Sequence, residues 1–152
     1  MTEVPARFAK VAMIPPEGIA AYWHNVRGML SPAIDRSHGR WSLEHLYYIL
    51  MTGQQQLWVA YNPEGGDILG TMTTQIVTYP HNKMLAFQFL GGAEFDDWFH
   101  ELSDMTEKFA RDNHCAGVEG TARFGFWPRL KSAGYDKSYA VYEKILGVDD
   151  DE

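Results

Sequence analysis

Cysteine is almost missing from this chain. Cys115 is the only one among 152 residues, so no disulfide can form within it, and a reducing compartment is the expectation. Basic clusters are missing too: 13 Lys and Arg stand against 20 Asp and Glu, a formal charge of −7. The basic residues are scattered, which argues against a nucleic-acid partner, because phosphate binding needs grouped cations. No apolar run reaches the ~20 residues of a membrane-crossing helix, and MTEVPARFAKVAMIPPEG has no apolar signal-like stretch. A cytoplasmic, membrane-free protein is therefore expected. The six histidines (24, 38, 45, 81, 100 and 114) form no HExxH or Cys/His spacing, so no metal is expected. Neither a Walker nor a Rossmann glycine pattern occurs.

What is present is material for a core. Hydrophobic residues make up 45% of the chain and aromatics 14%, enough to bury one full-sized domain. No repeat, low-complexity tract or linker divides it. A single domain over residues 1–147 is expected, with the acidic VDDDE (148–152) as a solvated tail.

The apolar spacing sets out the elements. Residues 6–13 suit a first strand, ended by Pro15 and Pro16. Ile19, Tyr22, Trp23, Val26 and Leu30 recur at helical spacing, and Pro32 is expected to end that helix. Ser42 is a plausible cap for a second helix carrying Leu43, Leu46, Tyr47 and Leu50, with Gly53 as its stop. LWVAY (57–61), ILGTMTTQIVTY (68–79) and MLAFQFL (84–90) are separated by PEGGD and PHNK turns, an antiparallel meander. Trp98, Leu102, Met105 and Phe109 mark a long helix over 96–113. GVEGTA (117–122) reads as a short strand. FWPRLKSAG (126–134) reads as a helix opened by Pro128 and closed by Gly134, and SYAVYEKIL (138–146) as a last strand. The order β-α-α-β-β-β-α-β-α-β predicts an α+β fold, a mixed and mostly antiparallel sheet with helices on both faces.

This order, with KSAGY before a strand ending in YEKIL, resembles the GCN5-related N-acetyltransferase superfamily from about Phe8 to Leu146. The segment GVEGTARFGFWPRLKSAGYDKSYAVYEKIL is also similar to small proteins of that fold encoded among the structural genes of tailed bacteriophages. The superfamily resemblance implies an acetyl-CoA site between the fourth strand and the following helix. There a Gln/Arg-x-x-Gly-x-Gly/Ala turn cradles the pyrophosphate with backbone N–H groups.

The stretch FLGGAEFDDWFHEL (89–102) occupies that position. It keeps Gly91 and Gly92 but brings no Gln or Arg ahead of a second glycine pair. Glu94, Asp96 and Asp97 would repel phosphate, and Trp98 falls where the family has a small residue. The family's tyrosine acid, counted back from Tyr135, falls on Leu130, which carries no proton to give. The loop therefore reads as a connection, and no cofactor is expected.

A few residues merit a functional reading beside a structural one. Glu119 on the short strand could serve as a base if burial raised its pKa, or it could pair with Arg123. Tyr139 is the matching candidate acid. If acetyl-CoA binds, the resemblance implies that backbone groups of Phe87, Phe89 and Leu90 meet its pantetheine arm. Arg123, Trp127 and Arg129 form an aromatic–basic group suited to a protein contact, or Trp127 is core and the arginines lie outside. Tyr22, Trp23, Trp41, Tyr47, Tyr48 and Trp58 are core or pocket wall, and the neighbours Tyr47 and Tyr48 cannot both face inward.

Three functions stay open: a contact protein that partners another protein or itself, in a phage virion or its assembly; an N-acyltransferase with a divergent loop; or a ligand-binding domain without turnover. The contact reading is preferred on the altered loop and the missing tyrosine.

Overall fold

The computed structural model describes residues 9–147. The start of the expected first strand, residues 6–8, and the acidic tail, 148–152, lie outside the described residues. A strand covered on both faces must be apolar on both, and LWVAY is the case in point. Leu57 and Val59 enter one core cluster, Trp58 and Ala60 the other, and all four are buried.

Five strands make one sheet in chain order: β1 (Lys10–Ile14), β2 (Gln56–Tyr61), β3 (Ile68–Thr78), β4 (Lys83–Gly92) and β5 (Gly117–Gly120). The first four are antiparallel and β5 runs parallel to β4. Tight turns close the meander: Asn62 N–H reaches Asp67 O at 2.8 Å and Tyr79 N–H reaches Asn82 O at 2.7 Å. A parallel neighbour needs a crossover, supplied by α3 (Phe95–Asp112).

One face of the sheet is covered by α1 (Ile19–Asp35) and α2 (Leu43–Met51), which bury Ile19, Val26, Leu30, Ile34, Leu46 and Leu50 with Leu57, Val59 and Phe89. The other is covered by α3, through Trp98, Phe99 and Leu102, joined by Phe126 and by Leu130 of α4 (Trp127–Ser132). The fold is α+β with a mixed, mostly antiparallel sheet, as the sequence order predicts. Ser42 caps α2, its Oγ accepting from His45 N–H at 3.1 Å.

Pro32 does not end the first helix. α1 runs on to Asp35 with Pro32 inside it, although proline removes one hydrogen bond and crowds the preceding turn. The reason lies in the stripe Val26, Leu30, Ile34, spaced four apart and buried throughout, which one more turn of helix completes. The expected last strand, 138–146, is not part of the sheet either. Its residues are exposed and lie outside any helix or strand. Instead, Glu143 in its middle is bound by His38 and Arg40, the latter at 2.8 Å, in the connection between α1 and α2.

Gly91 shows how closely the layers approach. A Cβ on it would stand 1.9 Å from the Met29 carbonyl oxygen of α1, so strand and helix backbones touch there. Gly91→Ala must push α1 off β4. A loss of about 1–3 kcal/mol or more is expected, read as a lower midpoint in denaturant unfolding with α1 amides exchanging faster.

Candidate functional site

β4 contains a bulge that divides its side chains. Thr74 pairs with Phe87 and Met72 with Leu90, so Gln88 and Phe89 together face Thr73. An extra residue re-aims the side chains beyond it. Phe87 lies in the α3 core and Phe89 in the α1–α2 core, where Trp41 meets it edge-on at 5.6 Å. Leu90 packs against the α3 side. A bulge leaves a backbone donor without a ladder partner, and here Phe89 N–H is taken by the buried hydroxyl of Thr73 at 3.2 Å.

The parallel pairing of β4 with β5 stops at Phe87 and Gly120, and β4 continues to Gly92 paired with β3 alone. Gly120 is pressed on the Phe87 ring, where a Cβ would come within 2.4 Å. The strands therefore part where the family resemblance puts a cofactor arm. On the α3 side the space is filled from within. Phe95, Trp98, Phe99 and Phe126 meet at centroid distances of 5.1–5.2 Å, and Tyr135 stands edge-on to Phe87 at 5.6 Å.

Trp98 is the centre of this filling. It is 1% exposed and its ring lies on β3 where Gly70 leaves room, since a Cβ there would stand 2.1 Å away. Its indole N–H donates to Ala93 O at 2.8 Å. Two of the loop's backbone donors are engaged as well: Ala93 N–H bonds Leu69 O at 3.0 Å and Asp97 N–H bonds Glu94 O at 3.0 Å. Gly92, at φ +121°, has Leu69 O within 2.4 Å of where a Cβ would be. Both loop glycines thus answer to neighbouring backbone.

The electrostatics run the same way. Glu94, Asp96 and Asp97 surround the start of α3, where its dipole favours negative charge. The nearest cation, Arg129 of α4, is bound to Asp96 at 2.8 Å and lies over Phe95 and Phe126, 5.5 Å from each ring centre. It closes α4 onto α3.

The two catalytic candidates from the sequence, Glu119 and Tyr139, come together only through Tyr79. Glu119 accepts from the Tyr79 hydroxyl at 3.1 Å, and that bond holds the Tyr79 phenol above its ordinary pKa. Among the described residues no ion pair joins Glu119 to Arg123. Tyr139 is exposed and adds a smaller push on Tyr79. Arg123 is exposed, Arg129 is committed to Asp96, and Trp127 is half-buried under the Lys137 ammonium at 4.8 Å. Phe126 fills the core position that the structural reading gave to Trp127. Tyr47 packs on Trp23 at 5.1 Å while Tyr48 faces outward.

Sequence reasoning missed Thr73, hidden in a run of strand threonines, and the tie of Glu143 to His38 and Arg40. That tie holds the Glu143 carboxyl below its usual range, through Arg40 first and His38 second. The two best-formed hollows are shallow grooves of about 400 Å³ and 370 Å³ between α3 and the α4 region, neither lined by β4. Among the described residues no three His, Cys, Asp or Glu are placed to hold a metal, and no helix is long and apolar enough to cross a membrane.

In sequence alone the chain matches no protein-family profile and no curated protein. In structure it is similar to an aminoglycoside acetyltransferase from an uncultured soil metagenomic sample, solved with sisomicin: TM-score 0.67, 15% identity, 93% of this chain and 97% of that one. It is also similar to a predicted acetyltransferase from Clostridium acetobutylicum solved with acetyl-CoA, at TM-score 0.66 and 12% identity over 91% and 97%. A GCN5-related N-acetyltransferase from Ralstonia eutropha gives 0.65 and 14% over 91% and 99%. At such identities the likeness is one of fold: the chain has the GCN5-related N-acetyltransferase fold.

Two measurements check this geometry. Thr73→Val keeps the shape but strands the buried Phe89 N–H, and should cost about 1–3 kcal/mol in unfolding free energy. Burial pushes the Tyr135 phenol up to about 12 against a small opposing pull from Ser103. Its folded pKa is raised, so its contribution to stability is whole below the unfolded value near 10 and disappears as pH climbs toward 12. An absorbance titration should show one of the eight tyrosines ionising last, a step that Tyr135→Phe removes.

Proposed function

We propose that this chain uses the acetyltransferase fold as a scaffold for protein contact and has no acetyl-CoA chemistry. The observation that carries this reading is Trp98, seated on Gly70 and bonded to Ala93 O. A buried indole at this position, where the family resemblance expects a small residue, supports that reading. The residues present do not fit the cofactor in other respects. Phe89 N–H belongs to Thr73 of β3 and so offers nothing to a ligand in the gap beside β5. Three carboxylates face the loop, and Arg129 is already neutralised by Asp96.

Contact is favoured over idle persistence by what lies outside. Phe124, Tyr139, Val141, Tyr142, Ile145 and Leu146 are exposed, and apolar side chains left in water on this scale mark interaction surfaces. We place that contact in a virion or its assembly on the resemblance read from the sequence of residues 117–146 alone.

The second reading, an N-acyltransferase, is favoured by the parting of β4 from β5 and by a structural neighbour solved with acetyl-CoA. In that reading Glu119 would be the base and Tyr139 the acid, yet Glu119 is turned to Tyr79 and Tyr139 lies in solvent.

Thermal unfolding across an acetyl-CoA titration to millimolar separates the two. The expected result is an unchanged melting temperature and no saturable heat in calorimetry. Binding at ~100 times the dissociation constant would add about 2.7 kcal/mol of stability, and a saturable rise of that kind overturns the contact reading.

A further inference from the structure

Positive charge is scarce on this chain and unevenly spread. Carboxylates outnumber Lys and Arg by 20 to 13, yet residues 121–135 carry Arg123, Arg129 and Lys131 with no Asp or Glu among them. Asp136 is the next carboxylate, and Lys137 follows it. Arg129 is committed within the molecule, fastening α4 to Asp96 of α3 at 2.8 Å. Among the described residues Arg123, Lys131 and Lys137 join no ion pair, and all three are exposed.

Two aromatic rings stand among these cations. Phe124 opens a short 3-10 turn, Phe124–Phe126, that runs straight into α4. Side chains three apart eclipse in such a turn, so Phe124 and Trp127 share a side while Phe126 is buried on another. Lys131 lies one helical turn beyond Trp127, on the same face of α4. The Lys137 ammonium stands 4.8 Å from the Trp127 ring centre, which brings the chain after Tyr135 back onto that face. Phe124 is 99% exposed and Trp127 half-buried.

We propose that Arg123, Phe124, Trp127, Lys131 and Lys137 form a docking face for a protein segment rich in Asp and Glu. The assignment rests on the contact reading and names the chemistry of its partner. Charge decides that chemistry. A chain of net charge −7 repels acidic partners over most of its surface, so a carboxylate-rich segment is steered to the face that lacks carboxylates. The two rings supply an apolar centre and the cations a polar rim, as contact sites require. Nucleic acid fits less well, because phosphate binding grows with the number of cations it meets and the surrounding surface is acidic. The base of the face is already held. Arg129 lies over Phe95 and Phe126, 5.5 Å from each ring centre, so α4 receives a partner without rearrangement.

The test titrates the full chain with a glutamate-rich peptide that carries leucines, and with the same peptide in which every Glu is Gln. Nitrogen–proton NMR spectra read the amides of residues 121–137. The expected result is saturable shifts confined to those residues, an affinity that falls steeply with salt, and no response to the Gln peptide. Lys131→Glu combined with Lys137→Glu should weaken binding ~tenfold or more while the rest of the spectrum stays in place. Arg123→Glu, made separately, gives the same reading should the double variant not fold.

Silence of the Glu peptide, or shifts that survive the charge reversals, overturns the docking face. So does tighter binding of a single-stranded oligonucleotide, which assigns the cations to phosphate. None of these results touches the flat response to acetyl-CoA that the contact reading expects. Acetyl-CoA that displaces the peptide sinks both, because the face then belongs to the cofactor.

Discussion

The hydroxyl of Thr73 governs how this sheet divides its two cores. By accepting the Phe89 N–H that the bulge displaces from the β3–β4 ladder, it makes a bulge in the middle of a buried strand tolerable. The bulge sends Phe87 toward α3 and Phe89 toward α1 and α2, and it lies where the pairing with β5 runs out. A buried donor without a partner is among the more costly defects a strand can carry. Relieving it with a side chain from the adjacent strand fixes the geometry without any ligand.

Much of the fold was legible from periodicity. β2 shows itself as an apolar run because both its faces are covered, and α3 by a stripe from Trp98 to Phe109 that fits one side of a helix. The loop after β4 was legible only in part: its three carboxylates suit the positive end of the α3 dipole, but none caps the helix through a side-chain hydrogen bond. Local pattern failed where distant contacts decided. Pro32 reads as a stop until the burial of Ile34 in the next turn is known. SYAVYEKIL reads as a strand because its residues favour one, and nothing nearby reveals that His38 and Arg40, about a hundred positions earlier, hold its glutamate.

The candidate site was legible in its departures from the resembled pattern more than in its arrangement. The mismatch at Trp98 could be counted from the sequence, but its seat on Gly70 joins residues on different elements that no spacing rule connects. Thr73 is silent for a similar reason. Threonine is an ordinary strand residue, and only the register shift opposite it gives its hydroxyl a task. Glu119 and Tyr139 were chosen by position along the chain, whereas the sheet edge places them by Tyr79 and in open solvent.

The fit between Trp98 and Gly70 also bears on how such a chain can change over generations. Replacing the indole by something small opens a void beside a glycine, and giving the glycine a side chain while the indole stays forces a collision. Either single step lowers stability, so the two positions constrain each other: what one can become depends on what the other is.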